Sequence, residues 1–335
     1  MNKEALLYEK LENNQVHCYL CNHHCRIAEG KFGFCGVRQN INGILYTHAY
    51  GKLVASHIDP IEKKPLYHFF PGSLSFSIAT IGCNFHCGFC QNWEISQRSF
   101  RDGNPLGEDF TPERIVMAAR QNKCKSISYT YTEPTIFFEY AIDIAKIAKS
   151  DHLYNVFVTN GYMSKEALLM IRPYLDAANI DLKFFKESSY KKICGASLGP
   201  VMNSIKLMRE LGIWVEVTTL IIPGENDSEE ELRGIAKFIA SVDKDMPWHV
   251  SRFHPNYRFT EHKLTPEATL KKAQEIGYQA GLTYIYAGNV IGFGNDTHCH
   301  NCKKLLVQRE GFSALENNIK AGKCAFCSTT IPGVF

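Results

Sequence analysis

The chain has 335 residues, 45% hydrophobic and 21% charged, which excludes a wholly disordered chain and a coiled coil. Its 37 Lys+Arg against 34 Asp+Glu leave a net charge of +3, too small to argue for nucleic acid or an anionic membrane as partner. No apolar run approaches the roughly 18 residues of a membrane helix, and the opening MNKEALLYEKLENNQ lacks a signal peptide's apolar stretch, so a cytoplasmic protein is expected.

Cysteine is the outlier, at 13 residues. An odd count without an export signal argues against a disulfide framework, because cytosolic thiols stay reduced. Eleven of the 13 fall into three short clusters, which points to metal.

Residues 1–72 read as a metal-binding extension followed by a hairpin. Cys18-x2-Cys21-x3-Cys25-x9-Cys35, with Gly30, Gly33 and Gly36 among them, supplies four thiols. Four thiolates close every coordination position, so the site is expected to be structural or electron-relaying. Zinc and an iron–sulfur cluster are both thiophilic, and zinc is preferred here. His17, His23 and His24 are read as bystanders. A hairpin-like stretch and the Pro-punctuated loop at 59–65 close this part.

From 73 to 290, β-rich runs at 74–81, 126–132, 155–160, 178–184, 214–222, 248–254 and 282–287 alternate with helical patterns. Thr111-Pro112-Glu113 and Thr265-Pro266-Glu267 read as helix starts, and Ser228-x-x-Glu231 as a capping box. Repeated strand–helix units require right-handed crossovers and parallel strands. The expected fold is therefore α/β, a partial or full (β/α) barrel, with an open doubly wound sheet as competitor.

Cys83-x3-Cys87-x2-Cys90 follows directly on the first of these strands, at the end where βα barrels place their chemistry. Iron–sulfur clusters normally take four cysteines, so three on one loop leave one iron open to a small molecule. Cys299-x2-Cys302 and Cys324-x2-Cys327 resemble a zinc ribbon that staples residues 291–335, a tail too short to bury a core by itself. Cys124 and Cys194 stand alone and read as ordinary thiols.

The central motif resembles the CxxxCxφC signature of the radical S-adenosylmethionine (SAM) superfamily, with Phe89 as its aromatic residue. CNFHCGFCQNWEIS, YTYTEPT and DPIEKKPLYHF resemble the pyruvate formate-lyase activating enzyme-like branch, and within it the AmmeMemoRadiSam system radical SAM enzymes. This resemblance implies a [4Fe–4S] cluster on Cys83, Cys87 and Cys90, whose open iron chelates SAM. One electron then yields a 5′-deoxyadenosyl radical that takes hydrogen from a substrate. It also implies SAM-holding residues: Glu133 in place of the acid of a Gly-Gly-Glu signature, Thr159 and Asn160, Asp181 and Lys183, Thr218, and His254, with a monovalent cation in the same region. Arg252 points to the same side and can read a carboxylate. The implied partners are a one-electron donor such as ferredoxin or flavodoxin, and a protein or small-molecule substrate met together with Memo-like or AMME-like proteins. Activation of a glycyl radical enzyme is the alternative, and a non-catalytic electron-transfer or docking scaffold the second.

Overall fold

The computed structural model describes residues 3–103, 107–290 and 292–335. Met1 and Ile291, where two of the expected domain limits fall, lie outside them.

Eight strands form the central sheet: β1 (Ala55–Pro60), β2 (Leu74–Ala79), β3 (Ser126–Tyr129), β4 (Tyr154–Thr159), β5 (Ala177–Asp181), β6 (Trp214–Ile221), β7 (Trp248–Arg252) and β8 (Ile285–Gly288). Their order follows the chain, β2 through β8 are parallel, and β1 runs antiparallel along the β2 edge. β1 and β8 do not pair, so the barrel is partial, with a permanent lateral opening. The expected limit at 72/73 cuts through this sheet, because β1 precedes it.

The parallel strands are buried on both faces, which is why they read as near-continuous runs such as Trp-Val-Glu-Val-Thr-Thr-Leu-Ile in β6. Six helices cover the outer face: α1 (Pro112–Gln121), α2 (Phe138–Ser150), α3 (Lys165–Ile171), α4 (Leu198–Glu210), α5 (Glu229–Val242) and α6 (Glu267–Gln279). No helix among the described residues is long and apolar enough to cross a membrane.

The start signals fare differently. Thr111 caps α1, accepting from the Arg114 N–H at 3.4 Å. Ser228 caps α5, but the Glu231 carboxylate accepts from the Phe185 N–H instead of closing a capping box. Thr265 is no cap. Its hydroxyl donates to the Ile221 carbonyl and accepts from the Phe253 N–H, tying the ends of β6 and β7 to the start of α6.

Glu216 shows how the barrel is floored. Fully buried on β6, it accepts from the Tyr67 and His68 backbone, Trp214 Nε1 and His249 Nε2 at 2.7–3.0 Å, so four donors offset the cost of burying a carboxylate. The 61–70 loop is thereby held across the amino ends of the strands. The C-terminal tail packs beneath it: Phe69 bridges to Val334, and Arg309, 7% exposed, donates to the Tyr67 carbonyl and pairs with Glu62.

Candidate active site and metal centres

The cysteine loop leaves β2 through Thr80, Ile81 and Gly82. Gly82 has φ +94°, and a Cβ there would sit 2.6 Å from Val37 Cγ1, so only glycine makes this exit. The loop is then pinned from several sides. The Phe85 N–H points at Cys83 Sγ (3.3 Å), Ser96 Oγ lies 3.2 Å from Cys90 Sγ, and the Arg258 N–H donates to the Gly88 carbonyl at 3.0 Å. Phe89 is 4% exposed, with the rings of Phe184 and Phe259 about it. Its side chain anchors the loop while the three thiols stay at the end of the barrel.

The predicted SAM-holding residues gather at the carboxyl ends of the neighbouring strands. Glu133 follows β3 and is 1% exposed. Its carboxylate accepts from the Thr135 N–H and hydroxyl, the Thr159 hydroxyl and the Asn160 N–H. Burial pushes its pKa up, against the pull of these donors. Four donors fill the acceptor sites of a carboxylate, so Glu133 acts by joining the ends of β3 and β4. Asn160, just past β4, donates from Nδ2 to Asn84 Oδ1 at 2.7 Å and lies 3.9 Å from Cys83 Sγ. Asp181 ends β5 and pairs with Lys183 at 2.8 Å. Thr218 lies beside Asp181 in register on β6 but donates inward to Asn179 Oδ1. His254, beyond β7, is exposed, and its carbonyl accepts from Gln91 Nε2. Arg252 is committed to Glu267 at 3.3 Å.

Three participants escaped the sequence reading. Asn84 is fully buried beside Cys83, and its Nδ2 has no partner among the described residues, leaving a donor aimed into the site. Cys194, read as an ordinary thiol, lies against Cys87, and its hydrogen bond lowers the Cys87 pKa. His23, read as a bystander, donates to the Asn84 carbonyl at 2.6 Å and so ties the N-terminal cysteine loop to the central one. Position in sequence carries no signal for Cys194 or His23, because both contacts are made only by the fold.

The cysteine clusters differ in spacing. In the tail, Cys299 Sγ lies 3.7 Å from Cys327 Sγ, Cys302 Sγ lies 3.7 Å from Cys324 Sγ, and all four sulfurs lie within 4.8 Å of one another. A tetrahedral zinc with Zn–S of ~2.3 Å requires S···S edges of ~3.8 Å. Among the described residues, no other three thiols come that close together. The central triad is therefore too open for a single zinc, while its donor set fits three corners of an iron–sulfur cube.

Residues 77–239 match the Radical SAM superfamily. The chain belongs to the radical SAM superfamily. An uncharacterized protein of Methanocaldococcus jannaschii is 45% identical over 333 residues, 98% of each chain. A putative glycyl-radical enzyme activating enzyme of the same organism is 26% identical over 204 residues, 60% of this chain and 75% of that one. Streptococcus suis SuiB, solved bound to S-adenosylmethionine, shares the fold with TM-score 0.52 at 16% identity, covering 70% of this chain and 56% of that one. This radical SAM protein is thus an enzyme, and its membership implies a [4Fe–4S] cluster and SAM.

Proposed function

We propose that Cys83, Cys87 and Cys90 hold the [4Fe–4S] cluster and that the chain cleaves SAM reductively to abstract hydrogen from a protein substrate. The observation that carries this reading is the convergence of a three-thiol loop with Asn160 and the Asp181–Lys183 pair at one end of a partial barrel. When bound, the cluster supplies one electron to the sulfonium, giving methionine and a 5′-deoxyadenosyl radical that takes one substrate hydrogen atom.

The chain's own residues supply position. Asn84 and Asn160 offer amide donors beside the open corner, and the Asp181–Lys183 pair sets a fixed charge next to the thiols. Glu133 and Thr159 lock the strand ends that carry them, and Phe89 with the loop after β7 screens the cysteine loop from water. Thr218 and His254 stand on the SAM side of the site, and a monovalent cation there would lie near Asp181. Zinc is the ion that the tail spacing favours.

A protein substrate is favoured because several relatives are named activating enzymes, and the unpaired sheet edges leave a lateral entrance. Memo-like or AMME-like proteins are the partners we propose, with ferredoxin or flavodoxin as electron donor. The activating-enzyme relatives match 30–60% of this chain, whereas the uncharacterized M. jannaschii relative matches 98%, terminal cysteines included. This favours a substrate other than a glycyl radical enzyme.

Anaerobically reconstituted, dithionite-reduced protein should convert SAM to 5′-deoxyadenosine, and Cys87→Ala should reduce this to background. Intact cluster without turnover would overturn the reading. Deuterium passing from a glycine-labelled candidate into 5′-deoxyadenosine would establish the activase alternative.

A further inference from the structure

The N-terminal cysteines are the cluster the proposed reaction does not use. Cys18 and Cys25 face each other across the antiparallel strands Val16–Cys18 and Cys25–Ile27. Cys21 bridges to Met163, and Cys35 arrives from the turn closed by the Gly36 N–H on the Gly33 carbonyl. Together they line an enclosed cavity of about 20 Å³, whose remaining wall is mainly hydrocarbon from Leu20, Ile27 and Ile136.

Neither water nor a single zinc suits this space. One water needs ~10–15 Å³ but also two to four polar partners, which thiols and aliphatic carbon do not provide. Zinc requires no cavity, because Zn–S bonds of ~2.3 Å draw four thiolates together to S···S edges of ~3.8 Å. The tail cysteines have that spacing in the same molecule, at 3.7 Å for two pairs. Among the described residues, no three of the N-terminal sulfurs lie within 4.8 Å of one another. Thiols held apart around a dry hollow match a ligand that itself fills the middle, as a cube of irons and sulfides does.

We propose that Cys18, Cys21, Cys25 and Cys35 bind a second [4Fe–4S] cluster, capped by protein at all four corners. Donors already point at its ligands: Arg38 Nη1 lies 3.3 Å from Cys18 Sγ and the Phe34 N–H 3.5 Å from Cys25 Sγ. Such hydrogen bonds to sulfur, with burial, tune a cluster's reduction potential. Arg38 is 1% exposed and paired with the equally buried Glu139, so its charge is compensated. The site also adjoins the central one. His23, on its wall, donates to the Asn84 carbonyl next to Cys83, and Thr135, also on the wall, donates to Glu133.

The test is a metal and sulfide count with EPR on the full chain, produced and reconstituted anaerobically. Wild type should hold about eight irons and one zinc, and Cys83→Ala/Cys87→Ala/Cys90→Ala about four irons with a reduced signal indifferent to SAM. Four irons and two zincs in wild type, or no iron in the triple variant, would overturn the proposal. The wild-type count decides even if the variant fails to fold. Were the central loop to bind no cluster, wild type and variant would both keep about four irons. Failure of the catalytic reading is therefore distinguishable from failure of this one.

Discussion

His68 donates from Nδ1 to the Pro332 carbonyl and accepts at Nε2 from the Tyr286 hydroxyl, both at 2.6 Å. Tyr286 in turn meets Thr297 Oγ1, which accepts from Arg309 Nη1. This chain of donors fixes the imidazole as the neutral tautomer carrying its proton on Nδ1. Burial pushes its pKa down to about 4, with nearby Glu216 opposing and Arg309 and His249 reinforcing. The folded value lies below the ~6.5 of the unfolded chain, so the unfolded state binds more protons between the two. The stability held at neutral pH is therefore lost as pH falls from ~6.5 towards 4. Denaturant titrations at pH 7 and pH 5 should differ by ~2 kcal/mol in wild type, and by less in His68→Gln. Equal differences would remove His68 as the cause.

The turn after β4 aims Thr159 and Asn160 at the cysteine loop. It depends on Gly161, whose φ is +70° and whose absent Cβ would lie 2.8 Å from Ile180 Cγ2 in the core. Gly161→Ala therefore meets backbone strain and a packing clash together, and should cost ~1–3 kcal/mol. Because the same turn carries the Asn160 N–H to Glu133, SAM affinity should fall as well. Calorimetric titration with SAM, beside thermal melting, measures both. Loss of stability with unchanged affinity would mean that the turn does not position the site.

The C-terminal tail matters to the whole molecule because it is packed under the barrel, with its own core limited to a few residues around Cys299, Leu306 and Ile319. A metal at the four thiols would supply folding energy that so small a core lacks. Stripping zinc with a chelator, or Cys302→Ser, should unfold the tail and expose the Arg309–Glu62 contact. The expected readout is a midpoint lowered by at least ~5 °C, with loss of amide protection in the 61–70 loop. Protection unchanged in that loop would show that the tail contributes nothing to the floor.

The sequence read well where chemistry depends on neighbours in the chain. The three-cysteine loop, the tail knuckles and seven parallel strands were legible because ligand spacing and strand periodicity are local properties. Their positions held to within a few residues, as with β5 ending at Asp181, where the apolar run carried on to 184. Glu133 was picked out correctly as a residue of the site, yet its carboxylate turns inward to four donors on two strands, an arrangement no single segment encodes. The antiparallel β1 edge, the opening between β1 and β8, the Cys194–Cys87 contact and the His23–Asn84 link were likewise decided by tertiary structure alone. So was the contrast between thiols closed to a zinc tetrahedron and thiols held around a cavity. Composition states which atoms can bind a metal, whereas distances between segments far apart in the chain decide what size of metal group they enclose.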